Sequence, residues 1–209
     1  MSKIIQTAQS YWDERSELFG NYYKKPSMFD RVFRKGVYER VAVAIKACKD
    51  INNATCLDVG SGPGINSVSL IKNAKASHVT GIDFAQHMID YATKIAETEN
   101  VADKCNFILG DAITYNFNGK TFDFSMALGV FDYIENAQAL INRMSELTTK
   151  TFVISWPQNG IRMMLRRKRY TCPLFHYTLE HIHDLHKKAG ITNLEIITIG
   201  GGWASIAKK

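Results

Sequence analysis

Cys56-Leu57-Asp58-Val59-Gly60-Ser61-Gly62-Pro63-Gly64 is the stretch on which the reading of this chain turns. It joins a short apolar run, Thr55 to Val59, to a segment of helical periodicity that opens at Gly64. Three alternate glycines at a strand-to-helix junction let the backbone turn sharply and approach a ligand with no Cβ in the way. The N-terminus of the following helix offers N–H groups that have no partner within the helix. About twenty residues on, a second apolar run, His78 to Phe84, brings Asp83 to its end, where a carboxylate can accept both hydroxyls of a ribose.

A glycine fingerprint of this kind serves NAD, FAD or S-adenosylmethionine, or is a plain tight turn. The spacing here is G-x-G-x-G and lacks the G-x-G-x-x-G step used for a pyrophosphate. Asp58 precedes the first glycine, where its charge repels a pyrophosphate but suits the ammonium of a methionine moiety. The loop also lies behind a long helical preface.

Working outward, Phe29, Val32, Phe33, Val37, Val41 and Ile45 form an apolar stripe with charged residues between them. Gly20, Pro26 and Ser27 break the preface, which predicts two or three helices before Asp50. From Ala54 short apolar runs alternate with helical segments. The runs cover 55–59, 78–84, 106–111, 122–129, 150–156, 193–200 and 203–209. Helices are expected near 64–74, 86–99, 136–147 and 178–189, with a short connection near 112–118. This alternation predicts an α/β fold, a doubly wound seven-stranded mostly parallel sheet. Gly200, Gly201 and Gly202 join the last two runs as a C-terminal antiparallel hairpin. The expected organisation is a single domain, 1–209. It has an N-terminal helical cap at 1–50, a cofactor-binding core at 54–209 and a lid-like insertion at 157–177, since long loops in compact domains tend to be functional.

The chain has 209 residues, enough for one domain with a full core. Its 45% hydrophobic and 22% charged residues are globular values. No apolar run approaches the ~18 residues that span a bilayer. Asp13, Glu14 and Glu17 near the start argue against a secretion signal, so a cytoplasmic protein is expected. The net charge is +6, and Arg162, Arg166, Arg167, Lys168 and Arg169 supply five of those charges. A patch so confined argues against a nucleic-acid partner. The segment carrying it reads as a solvated loop, as a lid for an anionic acceptor, or as a peripheral contact with an anionic membrane surface and a lipid-like acceptor. Cys48, Cys56, Cys105 and Cys172 are scattered and have neither zinc nor redox spacing, so no metal is expected.

D-V-G-S-G-P-G (58–64), G-I-D-F (81–84), G-D-A (110–112) and A-L-G-V-F-D-Y (127–133) resemble the successive motifs of class I S-adenosylmethionine-dependent methyltransferases. Residues 29–41 and I-S-W-P at 154–157 are similar to the branch that contains magnesium-protoporphyrin methyltransferase. The resemblance implies that Asp58, Gly60, Gly62 and Gly64 cradle the methionine part of the cofactor. Asp83 would hold the ribose, with Phe84 and Met88 against the sugar or base. Asp111 and Ala112 would meet the adenine, and Leu128 would line the sulfur end. Phe84 and Met88 also read as core packing, and Asp111 as a turn or cap residue.

Alignment of an acceptor with an S–CH3 bond needs no strict triad, although a hydroxyl or amine acceptor calls for a base. Asp132 and Tyr133 follow the fourth strand, where the magnesium-protoporphyrin branch tends to show His-Tyr. Asp132 is therefore the candidate base and Tyr133 a positioning hydroxyl. Tyr11, Tyr22 and Tyr23 are candidates to fold over the acceptor. His176, in the long loop, is a further candidate contact or base. His181, His183 and His186 read as a solvated helix face. The expected activity is methyl transfer to a small-molecule acceptor, with oxygen favoured. The rivals are a non-catalytic binding module of the same fold, an NAD(P)-dependent reductase and a nucleic-acid methyltransferase.

Overall fold

The computed structural model describes Tyr11, Trp12 and residues 35–160, 163–165 and 172–209. The elements are α1 (Lys35–Lys49), β1 (Thr55–Val59), α2 (Ile65–Ala74), β2 (His78–Asp83), α3 (Gln86–Thr98), a 3-10 turn (Ala102–Lys104), β3 (Cys105–Leu109), β4 (Phe122–Ala127), α4 (Ala137–Leu147), β5 (Thr148–Pro157), α5 (Leu179–Lys188), β6 (Asn193–Ile199) and β7 (Gly202–Lys208).

The central strands are apolar on both faces, so both faces must be covered. In β1, Cys56 packs under α1 and α2, whereas Leu57 and Val59 pack on the opposite side. In β5, Val153 goes to the first layer and Phe152 and Ile154 to the second. α1, α2 and α3 contribute Ala44, Cys48, Leu70, Ile71 and Ala96 to one face. α4 and α5 bring Leu140, Ile141, Met144, Ile182 and Leu185 to the other. Each buried Leu, Ile or Met among them stabilises the fold by ~1.5–3 kcal/mol. Helix ends follow local chemistry. Asn136 accepts from the Ala139 N–H at 3.1 Å to start α4, and Thr178 accepts from the His181 N–H at 3.2 Å to start α5.

Seven strands form one sheet in the order β3-β2-β1-β4-β5-β7-β6. The pairings among β1 to β5 are parallel, and β7 pairs antiparallel with both β5 and β6. The α/β reading, the parallel sheet and the terminal hairpin therefore hold. Of the preface, α1 and the helical pair Tyr11 and Trp12 are described; Tyr22, Tyr23 and residues 29–34 lie outside the described residues.

The reading of the α5 histidines needs correction. His181 and His183 are exposed, but His186 is fully buried, because Ile182, Leu185 and Ala189 share its stripe. His186 Nδ1 lies 2.8 Å from the Ile182 carbonyl, which fixes the proton on Nδ1. Nε2 faces Ser205 Oγ at 3.3 Å, and Ser205 accepts from the Trp156 indole N–H at 2.8 Å. Burial holds the imidazole below its ordinary pKa.

Candidate cofactor and acceptor site

The strand order reverses between β1 and β4, which opens a crevice at their C-terminal ends. The Gly60 and Ser61 N–H groups both donate to the Ile82 carbonyl, at 2.8 and 3.1 Å, so the loop is fastened to β2. Asp83 completes the fastening. Its carboxylate accepts from the Gly62 N–H at 2.9 Å and from the Ala85 N–H at 3.0 Å. Gly60 and Gly62 both have positive φ, but their surroundings differ. A Cβ on Gly60 would lie 2.5 Å from Val130 Cγ2, whereas one on Gly62 would meet nothing within 4 Å. The loop is packed on one side and bare on the other.

Asp58 is buried at 1% exposure and accepts the Ser67 hydroxyl at 2.6 Å. Burial pushes its carboxyl up to about 7; the Ser67 hydrogen bond opposes the shift and Asp83 adds to it. Ser61 Oγ is buried with no hydrogen-bond partner among the described residues. A bare Cα at Gly62, a lone buried hydroxyl and a carboxyl poised near neutrality fit a ligand that brings its own cation and polar groups. S-adenosylmethionine has both.

The flanking residues divide. Phe84 is half-buried and packs on an aromatic cluster, whereas Met88 and Leu128 are buried at 3% and 6%. Leu128 lies in the layer under α1 and α2, with Met126 and Val153. Asp111 Oδ1 accepts from the Ile113 N–H at 2.9 Å, so its carboxylate builds the turn after β3, and Ala112 packs beside it.

Asp132 and Tyr133 follow β4 and are 5% and 8% exposed. Tyr133 joins Tyr11, Met163, Cys172 and Leu174 in a cluster that Trp12 and Phe84 flank. Trp12 meets Tyr133 edge to face at 5.4 Å. The cluster thus brings the N-terminal preface and the long loop over the ends of β2 and β4. His176 is exposed and does not line the neighbouring cavity. That cavity, of about 180 Å3, opens beside Asp132 between the start of α1, the end of β5 and the β6–β7 turn. The basic residues 162 and 166–169 lie outside the described residues; Met163 is buried, and Met164 and Leu165 are exposed.

Comparison with known proteins agrees with this geometry. Residues 56–151 match a family profile described as a methyltransferase domain. Over those residues the chain is similar to a methyltransferase domain. Its fold matches the crystal structure of magnesium protoporphyrin IX methyltransferase from Synechocystis PCC 6803 with bound S-adenosylhomocysteine. The TM-score is 0.78 at 16% identity, covering 99% of this chain and 98% of that one. At that identity the likeness shows the fold alone. A ubiquinone/menaquinone biosynthesis C-methyltransferase of Ruegeria sp. is 32% identical over 85 residues, 40% of this chain and 34% of the relative. A probable (S)-tetrahydroprotoberberine N-methyltransferase of Papaver bracteatum is 31% identical over 91 residues, 44% of this chain and 25% of the relative. The chain thus spans about a third or less of the length of these relatives. One is named for carbon and the other for nitrogen, so the two relatives differ in the acceptor atom.

Sequence reasoning missed Arg40, Ser61 and Ser67. Ser67 carries a readable signal, since it lies in the first turn of the helix after the glycine loop. It also missed that Cys48 and Cys56 meet, with Sγ atoms 3.7 Å apart where α1 packs on β1; the hydrogen bond with Cys48, and then burial, push the Cys56 thiol up.

Proposed function

We propose that this protein transfers a methyl group from S-adenosylmethionine to a small-molecule acceptor, with a hydroxyl oxygen favoured, as a single cytoplasmic domain. The observation that carries the reading is the position of Asp132. It borders the cavity and stands at the end of β4, across the strand reversal from the glycine loop. Asp58, Gly60, Gly62 and Gly64 would hold the methionine part, Asp83 and Phe84 the ribose, and Asp111 and Ala112 the adenine. Met88 and Leu128 support these positions from the core. The bound cofactor supplies a methyl group already activated on a sulfonium.

The chain's own work is then alignment and deprotonation. Holding the acceptor in line supplies ~7–11 kcal/mol of barrier lowering. Asp132 would hold and take the proton of the acceptor hydroxyl, a contribution of ~100- to 10,000-fold. Tyr133, fixed by Trp12 in the aromatic cluster, positions the acceptor and helps exclude water. His176 is exposed, which makes it the weakest of the three catalytic candidates. Asp132→Asn should lower turnover with little change in S-adenosylhomocysteine affinity; unchanged turnover removes Asp132 from the mechanism. Calorimetry with S-adenosylmethionine and NADH separates this reading from a reductase.

A further inference from the structure

Resting on the methyl-transfer reading, we propose that the cavity beside Asp132 takes a single-ring hydroxy acid, with Arg40 holding its carboxylate and Asp132 facing its hydroxyl. Size comes first. An apolar cavity of ~150 Å3 is filled by benzene. The space here, about 180 Å3, therefore suits one ring with small polar substituents.

Charge narrows the class. Among the described residues that line the cavity, Arg40 and Asp132 are the charged ones, and their signs are opposite. A simple amine would meet repulsion from Arg40, and a diacid would meet it from Asp132. A hydroxy acid presents an anion to one and a proton donor to the other. Trp156 and Met163 add apolar surface to the lining.

Arg40 is held in place by construction. Gly129 has a φ of +81°, and a Cβ there would lie 2.7 Å from Arg40 Nη1 and 3.0 Å from Nη2. The guanidinium therefore lies on the bare Cα of Gly129, at the head of the loop that carries Asp132. The Gly129 N–H donates to Ser155 Oγ at 2.8 Å, and Ser155 is itself on the cavity wall. A planar fork fixed in this way suits a carboxylate better than a lysine ammonium would.

The test is calorimetry on the full chain saturated with S-adenosylhomocysteine. The probes are the three hydroxybenzoate isomers, with phenol as the neutral control. At least one isomer should bind about tenfold or more tightly than phenol, the size expected of a charged hydrogen bond. Arg40→Gln should abolish that preference while S-adenosylhomocysteine affinity stays unchanged, and Arg40→Lys should restore part of it. Equal binding of phenol and every isomer, or a preference that survives in Arg40→Gln, overturns the assignment. Failure of S-adenosylhomocysteine itself to bind sinks the methyl-transfer reading, a distinct outcome.

Discussion

Asp58→Asn separates the stability of this protein from its function. Asp58 ionises near 3.8 in an unfolded chain, and burial raises it to about 7 in the folded one. The folded state therefore binds a proton that the unfolded state has released. Stability contributed by the neutral carboxyl is complete below about pH 4 and is lost as pH rises toward 7. The shift is roughly three units, so the full loss is about 4 kcal/mol. Less than half of it has accumulated by pH 5, and it is essentially complete by pH 8. An asparagine resembles the neutral carboxyl and still offers an acceptor to the Ser67 hydroxyl.

The assay is denaturant unfolding of both proteins without cofactor, at pH 5 and pH 8. The other titrating groups, His186 included, are common to both chains and cancel in the difference. The asparagine variant should gain about 2–3 kcal/mol on the wild type between the two pH values. In the same pH range, S-adenosylhomocysteine should bind the wild type more tightly as Asp58 ionises, and this pH dependence should vanish in the variant. Parallel unfolding curves, with a gap that changes by less than about 1 kcal/mol, would refute the reasoning.

Three further outcomes are expected. Gly62→Ala should fold at a cost of about 1–2 kcal/mol for its positive φ and lose cofactor affinity, because its Cβ enters the bare side of the loop; retained affinity in a titration would place the ligand elsewhere. Gly129→Ala should raise the acceptor KM and leave S-adenosylhomocysteine affinity unchanged, because its Cβ displaces Arg40. His186 is held below its ordinary 6.5 by burial, so its neutral form contributes stability above that pH that is lost as pH falls; His186→Gln should flatten this acid limb in thermal unfolding, and an unaltered limb would contradict it.

The seven strands were legible because each one changes the hydrophobic period at a turn residue, and the terminal hairpin because three glycines leave no room for a helix. Asp58 and Asp83 were legible from their places at strand ends, although Asp83's hold on the loop through the Gly62 N–H was not. Arg40 escaped because a charged residue between the apolar positions of a helix reads as solvent-facing, and Gly129, which makes room for it, is remote in sequence. His186 escaped because its neighbours His181 and His183 suggested a polar face. Yet its spacing from Ile182, Leu185 and Ala189 marks it as part of the buried stripe. The Asp111 turn shows the converse: a motif residue read toward a ligand has a local hydrogen bond that explains its place without one.

The two halves of the site differ in what their residues can be spared for. On the β1 and β2 side the backbone does most of the holding, so the code is short and readable: glycines, and carboxylates at strand ends. On the β4 and β5 side, residues from α1, the loop after β4 and the hairpin turn converge from three distant parts of the chain. No local spacing records such a convergence. Only the bare Cα of Gly129, which brings the Arg40 guanidinium onto the loop bearing Asp132, ties it to a motif. The glycine in A-L-G-V-F-D-Y therefore does double service. It ends β4 with a positive φ, and it makes room for Arg40, the cation on the cavity wall among the described residues. A change at that glycine should reach acceptor selectivity before it reaches the cofactor.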